Sequence, residues 1–443
     1  MTSIFGTDGM RGLVNSFPIT ADIALKLGMA VGVFIQANNL KQRVVIAKDT
    51  RLSGYMIEPA ITSGLISTGA DVILVGPMPT ASISILVRSL RADFGIMITA
   101  SHNPYHDNGV KLFDKIGYKL DISSKQKIEK LIFSKELSYG LAKQSRLGRA
   151  KRLDDAQGRY IESVKKSFPK ELSLSGYKIV VDCANGSAYK LAPTILWELG
   201  AEVVTLSCEP DGLNINKHCG SIYPINLCNK VLETKSDIGI ALDGDADRVI
   251  VCDENGHIIS GEHLIAMITN YLRDNQKLKG NKIVATKVSN LALEKYLKGF
   301  GVETLYSEVG DIKVHELLIK NNLNFGGEES GHIILLDYSN TADGIVSALQ
   351  ILAILVKSSK KLSEISNLFK LNPQVKSNIA FDQNNPLLRG HVNQKINTII
   401  NNNIDLKIIV RKSGTEKVIR VLVEGKSKLK IKKVHDEIVK SII

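Results

Sequence analysis

The sequence predicts an α/β protein: three tandem domains of similar topology with parallel or mixed sheets, then a smaller C-terminal α+β domain, arranged around a central cleft. Three observations carry this. The chain has 443 residues, too many for one ordinary core. Short β-branched apolar runs alternate with stretches of helical length and spacing, the mark of βαβ units. The same order of runs recurs at a spacing of about 100 residues, a period of whole domains and not of a solenoid.

The first copy begins at Val44-Val-Ile-Ala-Lys-Asp49, continues through a helical stretch from about Tyr55 to Thr68, and adds strands at Gly69–Val75 and Asp93–Thr99. The second runs Lys178–Asp182, Gly200–Thr205 and Asp237–Ala241. The third runs Lys282–Thr286, Gly301–Leu305 and Asn324–Gly326. A glycine precedes the second strand of each copy, which suits a helix C-terminal cap. Linkers are expected near 140–155, 253–261 and 367–374, the last holding the helix-interrupting Asn372-Pro373. These give domains at 1–153, 154–254, 255–368 and 369–443. The last reads as a strand before Arg411, a strand at Val418–Val423 and a closing helix.

Composition excludes several classes. Hydrophobic residues make up 44% and charged residues 23%, as in a folded globular chain. No apolar run reaches the roughly 18 residues that span a bilayer, and the start of the chain lacks a basic segment followed by an apolar one, so a cytoplasmic protein without membrane contact is expected. Cys183, Cys208, Cys219, Cys228 and Cys252 are odd in number and form no C-x-x-C pair, so reduced thiols are expected and any metal should be a hard ion on carboxylates. The net charge of +12 follows a composition rich in Lys throughout; it suits anionic substrates, but the basic run Lys426–Lys433 alternates with apolar residues like a solvated face, so no nucleic-acid partner is expected.

In open parallel sheets, ligands bind beyond the carboxyl ends of the strands. The three segments that follow the third strand of each copy are the most unusual in the chain. The first is Thr99-Ala-Ser-His-Asn-Pro104 with Asp107-Asn-Gly-Val-Lys111, a loop stiffened by Pro104 that exposes Ser101 without the esterase G-x-S-x-G elbow. The second is Asp243-Gly-Asp-Ala-Asp247-Arg248, whose three carboxylates repel one another unless they ring a cation. An EF-hand fails here, because Arg248 stands at the sixth position, where Gly is needed, and the flanks read as strands. The third is Gly326-Gly-Glu-Glu-Ser-Gly-His332, where Glu328 and Ser330 suit sugar hydroxyls and His332 is able to carry a proton. In the tail, Arg411-Lys-Ser-Gly-Thr-Glu416 and Arg420 offer a phosphate nest from Ser413, Gly414 and Thr415 between two arginines. The opening Phe5-Gly-Thr-Asp-Gly-Met-Arg-Gly12 sets Arg11 in a Gly-rich loop; neither a Walker A nor a G-x-G-x-x-G motif supports a nucleotide cofactor.

Four such segments in this order resemble the α-D-phosphohexomutase superfamily over nearly the whole chain. The likeness is strongest to its hexosamine-phosphate branch, through the opening motif, Gly76-Pro-Met-Pro-Thr80, Glu209–Asn216 before Cys219-Gly-Ser221, and Leu336-Asp-Tyr before Thr341-Ala-Asp-Gly344. Glu329 departs from the Gln usual in that branch, and Lys412 and Lys417 from prolines common in the phosphate loop. The resemblance implies an isomerase that interconverts glucosamine 6-phosphate and glucosamine 1-phosphate, supplying UDP-N-acetylglucosamine synthesis. Phosphorylated Ser101 would give its phosphoryl group to the sugar, with glucosamine 1,6-bisphosphate as intermediate and activator. It implies one Mg²⁺ on Ser101, Asp243, Asp245 and Asp247. It also implies charge neutralisation by Arg11, Arg248 and Lys111, with Lys111 or His332 as general acid or base. The substrate would be held by Glu328, Ser330, Arg411, Ser413, Gly414, Thr415 and Arg420, with a mobile fourth domain, in a monomer or homodimer. Phosphomannomutase or phosphoglucomutase activity, a serine-dependent sugar phosphatase and a non-catalytic sugar-phosphate binder stay open as alternatives.

Overall fold

The computed structural model describes residues 3–6, 8–38, 42–382, 385–413 and 417–443. The chain folds into two compact units, residues 1–286 with 305–368, and residues 287–304 with 369–443.

The larger unit holds the repeated sheets. The first has seven strands in the order Phe5–Gly6, Gly9–Leu13, Asp107–Phe113, Phe94–Ile98, Arg43–Lys48, Asp71–Pro77 and Ala150–Arg152. The second has five, Ile258–Ile259, Val249–Asp253, Ile238–Leu242, Lys178–Asp182 and Glu202–Leu206; the third has four, Glu303–Ser307, Lys282–Thr286, Phe325–Gly327 and Ile333–Leu335. The β-branched runs become buried strands: Val44, Ile46, Phe94, Ile96 and Ile98 pack with the helices Ala21–Ala37 and Gly54–Ser67 in one apolar core. Gly69, Gly200 and Gly301 all take positive φ where the chain turns into the second strand, as capping requires. Two stretches expected as linkers carry short strands: Ala150–Arg152 pairs with Val72–Leu74, and Ile258–Ile259 pairs with Val251–Cys252.

The sheets are mixed in a way that decides where the site lies. In each, the third strand of the repeat is followed directly by an antiparallel return. Phe94–Ile98 pairs with Asp107–Phe113, Ile238–Leu242 with Val249–Asp253, and Phe325–Gly327 with Ile333–Leu335. The three unusual segments are therefore hairpin connections, anchored by a hydrogen-bonded strand on both sides. Such a loop has far less freedom than one leading into a distant helix.

In the smaller unit, Gln374–Ala380, Val418–Glu424 and Lys407–Lys412 form an antiparallel sheet with Val418–Glu424 in the centre. Ile419, Val421 and Val423 face the helices Gly390–Asn401 and Lys428–Ile442 and make its core. The basic run noted in the sequence opens that last helix. The five cysteines are free, and among the described residues no helix is long and apolar enough to cross a membrane.

Candidate active site

Ser101 sits at the first bend of its hairpin with φ +52° and is buried. Its Oγ donates to Asp243 Oδ2 at 2.7 Å, so the serine loop and the carboxylate loop meet at this bond. They come this close because residue 244 has no side chain. A Cβ on Gly244 would lie 2.6 Å from the Ser101 carbonyl oxygen and 2.8 Å from Asn216 Nδ2.

Asp243, Asp245 and Asp247 are all buried, and one oxygen from each lies within 4.8 Å of the others. They alternate along the loop with Gly244 and Ala246, the latter at φ +57°. Burial and the two neighbouring carboxylates raise the Asp243 pKa to about 7. Asp245 Oδ1 is buried with no hydrogen-bond partner among the described residues, while its Oδ2 is taken by Thr80 and Lys111. A buried carboxylate oxygen without a donor costs on the order of 1–3 kcal/mol or more. An all-oxygen, charge-deficient cluster with one oxygen vacant fits a hard divalent cation.

Protein cations press in from the sides. Lys111, opposite Met97 in the serine hairpin, places its Nζ 2.7 Å from Asp245 Oδ2, 2.7 Å from Asp247 Oδ2 and 3.3 Å from Asp8 Oδ2. Burial alone would lower its pKa, but these three carboxylates hold it well above the usual lysine range. His332 Nε2 lies 2.8 Å from Asp247 Oδ1 and its Nδ1 3.5 Å from Glu328 Oε1. Burial opposes its charge, yet Asp247 and then Glu328 raise its pKa to about 10. Arg248 Nε is 3.3 Å from His332 Nε2, and Arg11 Nη1 donates to Asn103 Oδ1 at 3.2 Å over the serine loop.

The third hairpin locks onto the second through its backbone. Arg248 and His332 form an antiparallel bridge, and Val249 N donates to the Gly331 carbonyl at 3.1 Å. Glu328 is buried and accepts from Gly310 N at 3.2 Å; Ser330 is half-buried. Ser101, Lys111, Arg11, the three aspartates, Arg248, Glu328 and His332 thus form one contiguous constellation.

In the smaller unit, Arg411 and Arg420 stand directly opposite each other on neighbouring strands, in a row with Asn378. Like charges facing across strands destabilise a sheet unless an anion lies between them. Ser413 is buried beside them; Gly414 and Thr415 lie outside the described residues.

Family models described as phosphoglucomutase/phosphomannomutase domains match along the chain. Domain I covers residues 2–138, domain II 158–256, domain III 260–371 and the C-terminal domain 359–441. The chain belongs to the phosphoglucomutase/phosphomannomutase family. It is 49% identical over 439 residues to a phosphoglucosamine mutase from Chelativorans sp. (strain BNC1), spanning 99% of this chain and 97% of that one. To a phosphoglucosamine mutase from Granulibacter bethesdensis it is 50% identical over 436 residues, with 98% and 95% covered. Among solved structures, a phosphoglucomutase/phosphomannomutase family protein from Burkholderia thailandensis superposes with a TM-score of 0.81 at 26% identity, covering 99% of this chain and 96% of that one. An N-acetylphosphoglucosamine mutase from Aspergillus fumigatus, at 17% identity and a TM-score of 0.66 with 99% and 95% covered, shares the fold.

This phosphohexomutase site also holds residues that sequence reasoning did not single out. Asp8 bridges Lys111, Lys119 and Arg11. His102 Nδ1 is 3.3 Å from Ser101 Oγ; burial, with Arg248 and Arg11 nearby, pushes its pKa down to about 2 and keeps it neutral. Arg51 and Asn216 hold the serine loop from below. A signal existed for each: Asp8, His102 and Asn216 lie inside segments already quoted, and Arg51 follows the carboxyl end of a repeat's first strand, where the ligand rule also applies.

Proposed function

We propose that this phosphohexomutase interconverts glucosamine 6-phosphate and glucosamine 1-phosphate, carrying the transferred phosphoryl group on Ser101. The observation that carries the reading is the Ser101 Oγ bond to Asp243 at the edge of the buried carboxylate cluster, flanked by Lys111, Arg11 and Arg248. The choice of sugar rests on relatives at about half identity over nearly the full chain.

In the forward half-reaction the Oγ–P bond on Ser101 breaks, its oxygen taking up a proton from an acid of the site, and a P–O bond forms to the free sugar hydroxyl, whose proton leaves to a base. That yields glucosamine 1,6-bisphosphate. After reorientation, the Ser101 hydroxyl loses its proton to a base as its oxygen attacks the other phosphate, and a proton passes to the departing sugar oxygen. Phosphoryl transfer depends mostly on positioning and charge stabilisation. Lys111 and His332, whose carboxylate neighbours favour their protonated forms, are placed as acids for that step. Asp243, Asp245 and Asp247, with an oxygen on Ser101, would hold one Mg²⁺, which when bound supplies Lewis-acid neutralisation of phosphoryl oxygens. Arg411 and Arg420, with Ser413, Gly414 and Thr415, hold the phosphate that is not reacting; Glu328 and Ser330 hold sugar hydroxyls.

Intact-mass analysis should find a fraction of the purified protein carrying one phosphate, lost in Ser101→Ala together with turnover. Glucosamine, glucose and mannose 6-phosphates, assayed side by side with a bisphosphate activator, should rank glucosamine first. Wild-type turnover in Ser101→Ala rejects the serine route, and net release of inorganic phosphate in place of isomerisation makes the protein a phosphatase.

A further inference from the structure

Ser101 is a non-glycine residue in the left-handed region, a conformation that costs energy and persists only where surroundings impose it. The imposing groups are two side chains from different domains of the repeat. Arg51, 1% exposed, directs Nη2 to the carbonyl oxygens of Ser101 (3.0 Å) and Asn103 (2.8 Å), and Nη1 to those of Pro104 and Asp107. Asn216, from the second α/β domain, donates its single Nδ2 to the same Ser101 and Asn103 oxygens at 2.8 and 3.0 Å.

We infer that Arg51 and Asn216 are positioning residues for phosphoryl transfer, which jointly clamp the backbone of the serine loop and fix the line along which Ser101 Oγ exchanges its phosphate. The inference rests on the serine-phosphate reading above.

The clamp is built from both sides. Arg51 Nε and N bind Asp49 at 2.9 and 3.0 Å, and Asp49 accepts from Thr99 Oγ1 at 2.7 Å, which in turn receives Ser101 N at 2.9 Å. One chain of bonds thus holds both backbone ends of Ser101. Asn216 has φ +57° and its N donates to the Ala184 carbonyl at 2.9 Å. Its loop touches the Arg51 turn again where Leu52 N meets the Gly212 carbonyl at 3.0 Å. The planar guanidinium fork reaches several fixed acceptors at once, which an ammonium does not. None of these groups touches the reacting atoms. Their effect is geometric, and a misplacement of about 1 Å in a transfer site costs roughly 100-fold in rate.

The test is single-turnover transfer from Ser101-phosphorylated enzyme to saturating glucosamine 6-phosphate, with intact mass giving the phosphorylated fraction. Asn216→Ala removes the donors without adding charge, and Asn216→Asp keeps the shape and the tolerance for positive φ while replacing the donor with an oxygen. Both should lower the transfer rate constant by about 10- to 100-fold, with the amplitude and the KM near wild type whatever the fall in melting temperature. Arg51→Lys, which keeps the pair with Asp49, should also slow transfer. A merely structural role lowers the amplitude while the surviving molecules transfer at the wild-type rate; that result overturns the inference. If wild type itself transfers no phosphate from Ser101, the serine-phosphate reading fails first, on a measurement independent of these variants.

Discussion

Lys111→Met removes a buried ammonium while keeping much of its length. The Lys111 Nζ lies 2.7 Å from each of two carboxylate oxygens, on Asp245 and Asp247. At an effective dielectric constant of about 20, one such pair attracts by about 6 kcal/mol, or about 12 for both. Desolvation of the three buried ions offsets most of this. Removing one partner of a buried ion pair nets about 3–5 kcal/mol of destabilisation. In the variant, Asp245 and Asp247 have lost their nearest cation, so an added divalent ion has more to neutralise. Scanning calorimetry with EDTA and with MgCl₂ separates the effects. In EDTA the transition of the larger unit should fall by roughly 4–7 °C, at about 1.4 °C per kcal/mol for a unit of this size. In MgCl₂ the gap between variant and wild type should narrow by half or more, while turnover stays lost. An unchanged transition in EDTA, or the same gap in both buffers, refutes the picture of Lys111 and a metal ion neutralising one shared cluster.

Three further outcomes follow from other parts of the molecule. Gly244→Ala places a Cβ 2.6 Å from the Ser101 carbonyl, so loop separation should cost about 1–3 kcal/mol by overpacking and most of the turnover; a fully active variant would show that the loops need not touch. Arg411→Ala should raise KM about 10-fold or more, the loss of one charge-assisted phosphate contact; an unaltered KM counts against the clamp. Asp343 caps the helix Gly344–Ser358 through Ile345 N and Val346 N, and burial raises its pKa to about 6. That folded value lies above the unfolded one, so its contribution is fully present below pH 4 and is lost as pH rises through 6. Asp343→Asn should therefore be the more stable protein at pH 7.5, by on the order of 3 kcal/mol, and show no such gain at pH 4; chemical denaturation at both pH values checks this.

The repeat was legible because burial on both faces of a strand leaves a strong apolar signature, and because Gly69, Gly200 and Gly301 punctuate it at matching places. The three site loops were legible for the same reason, each ending such a strand. The antiparallel return after each loop was not, since strand direction leaves no mark in residue type. Without the return, Lys111 was a lysine near the serine; with it, Met97↔Lys111 pairing brings the ammonium beside the carboxylates. The Arg51 and Asn216 clamp escaped for a related reason. Its acceptors are backbone carbonyls, identical at every residue, and only folding shows which ones converge. The short strand Ala150–Arg152 was missed because three exposed residues carry no apolar pattern.

The backbone bridge between Arg248 and His332 has a consequence for protein engineering. The Gly326–His332 loop and the carboxylate loop are separate in sequence and belong to separate sheets, which invites exchanging either one between relatives. The Val249 N to Gly331 carbonyl bond and the His332 to Asp247 contact mean that a transplanted 327–333 hairpin brings its own register against residues 247–249. A graft that changes one loop alone should disturb the other, whereas a graft that moves both together preserves the shared seam. The modular unit for exchange is the seam, not the domain.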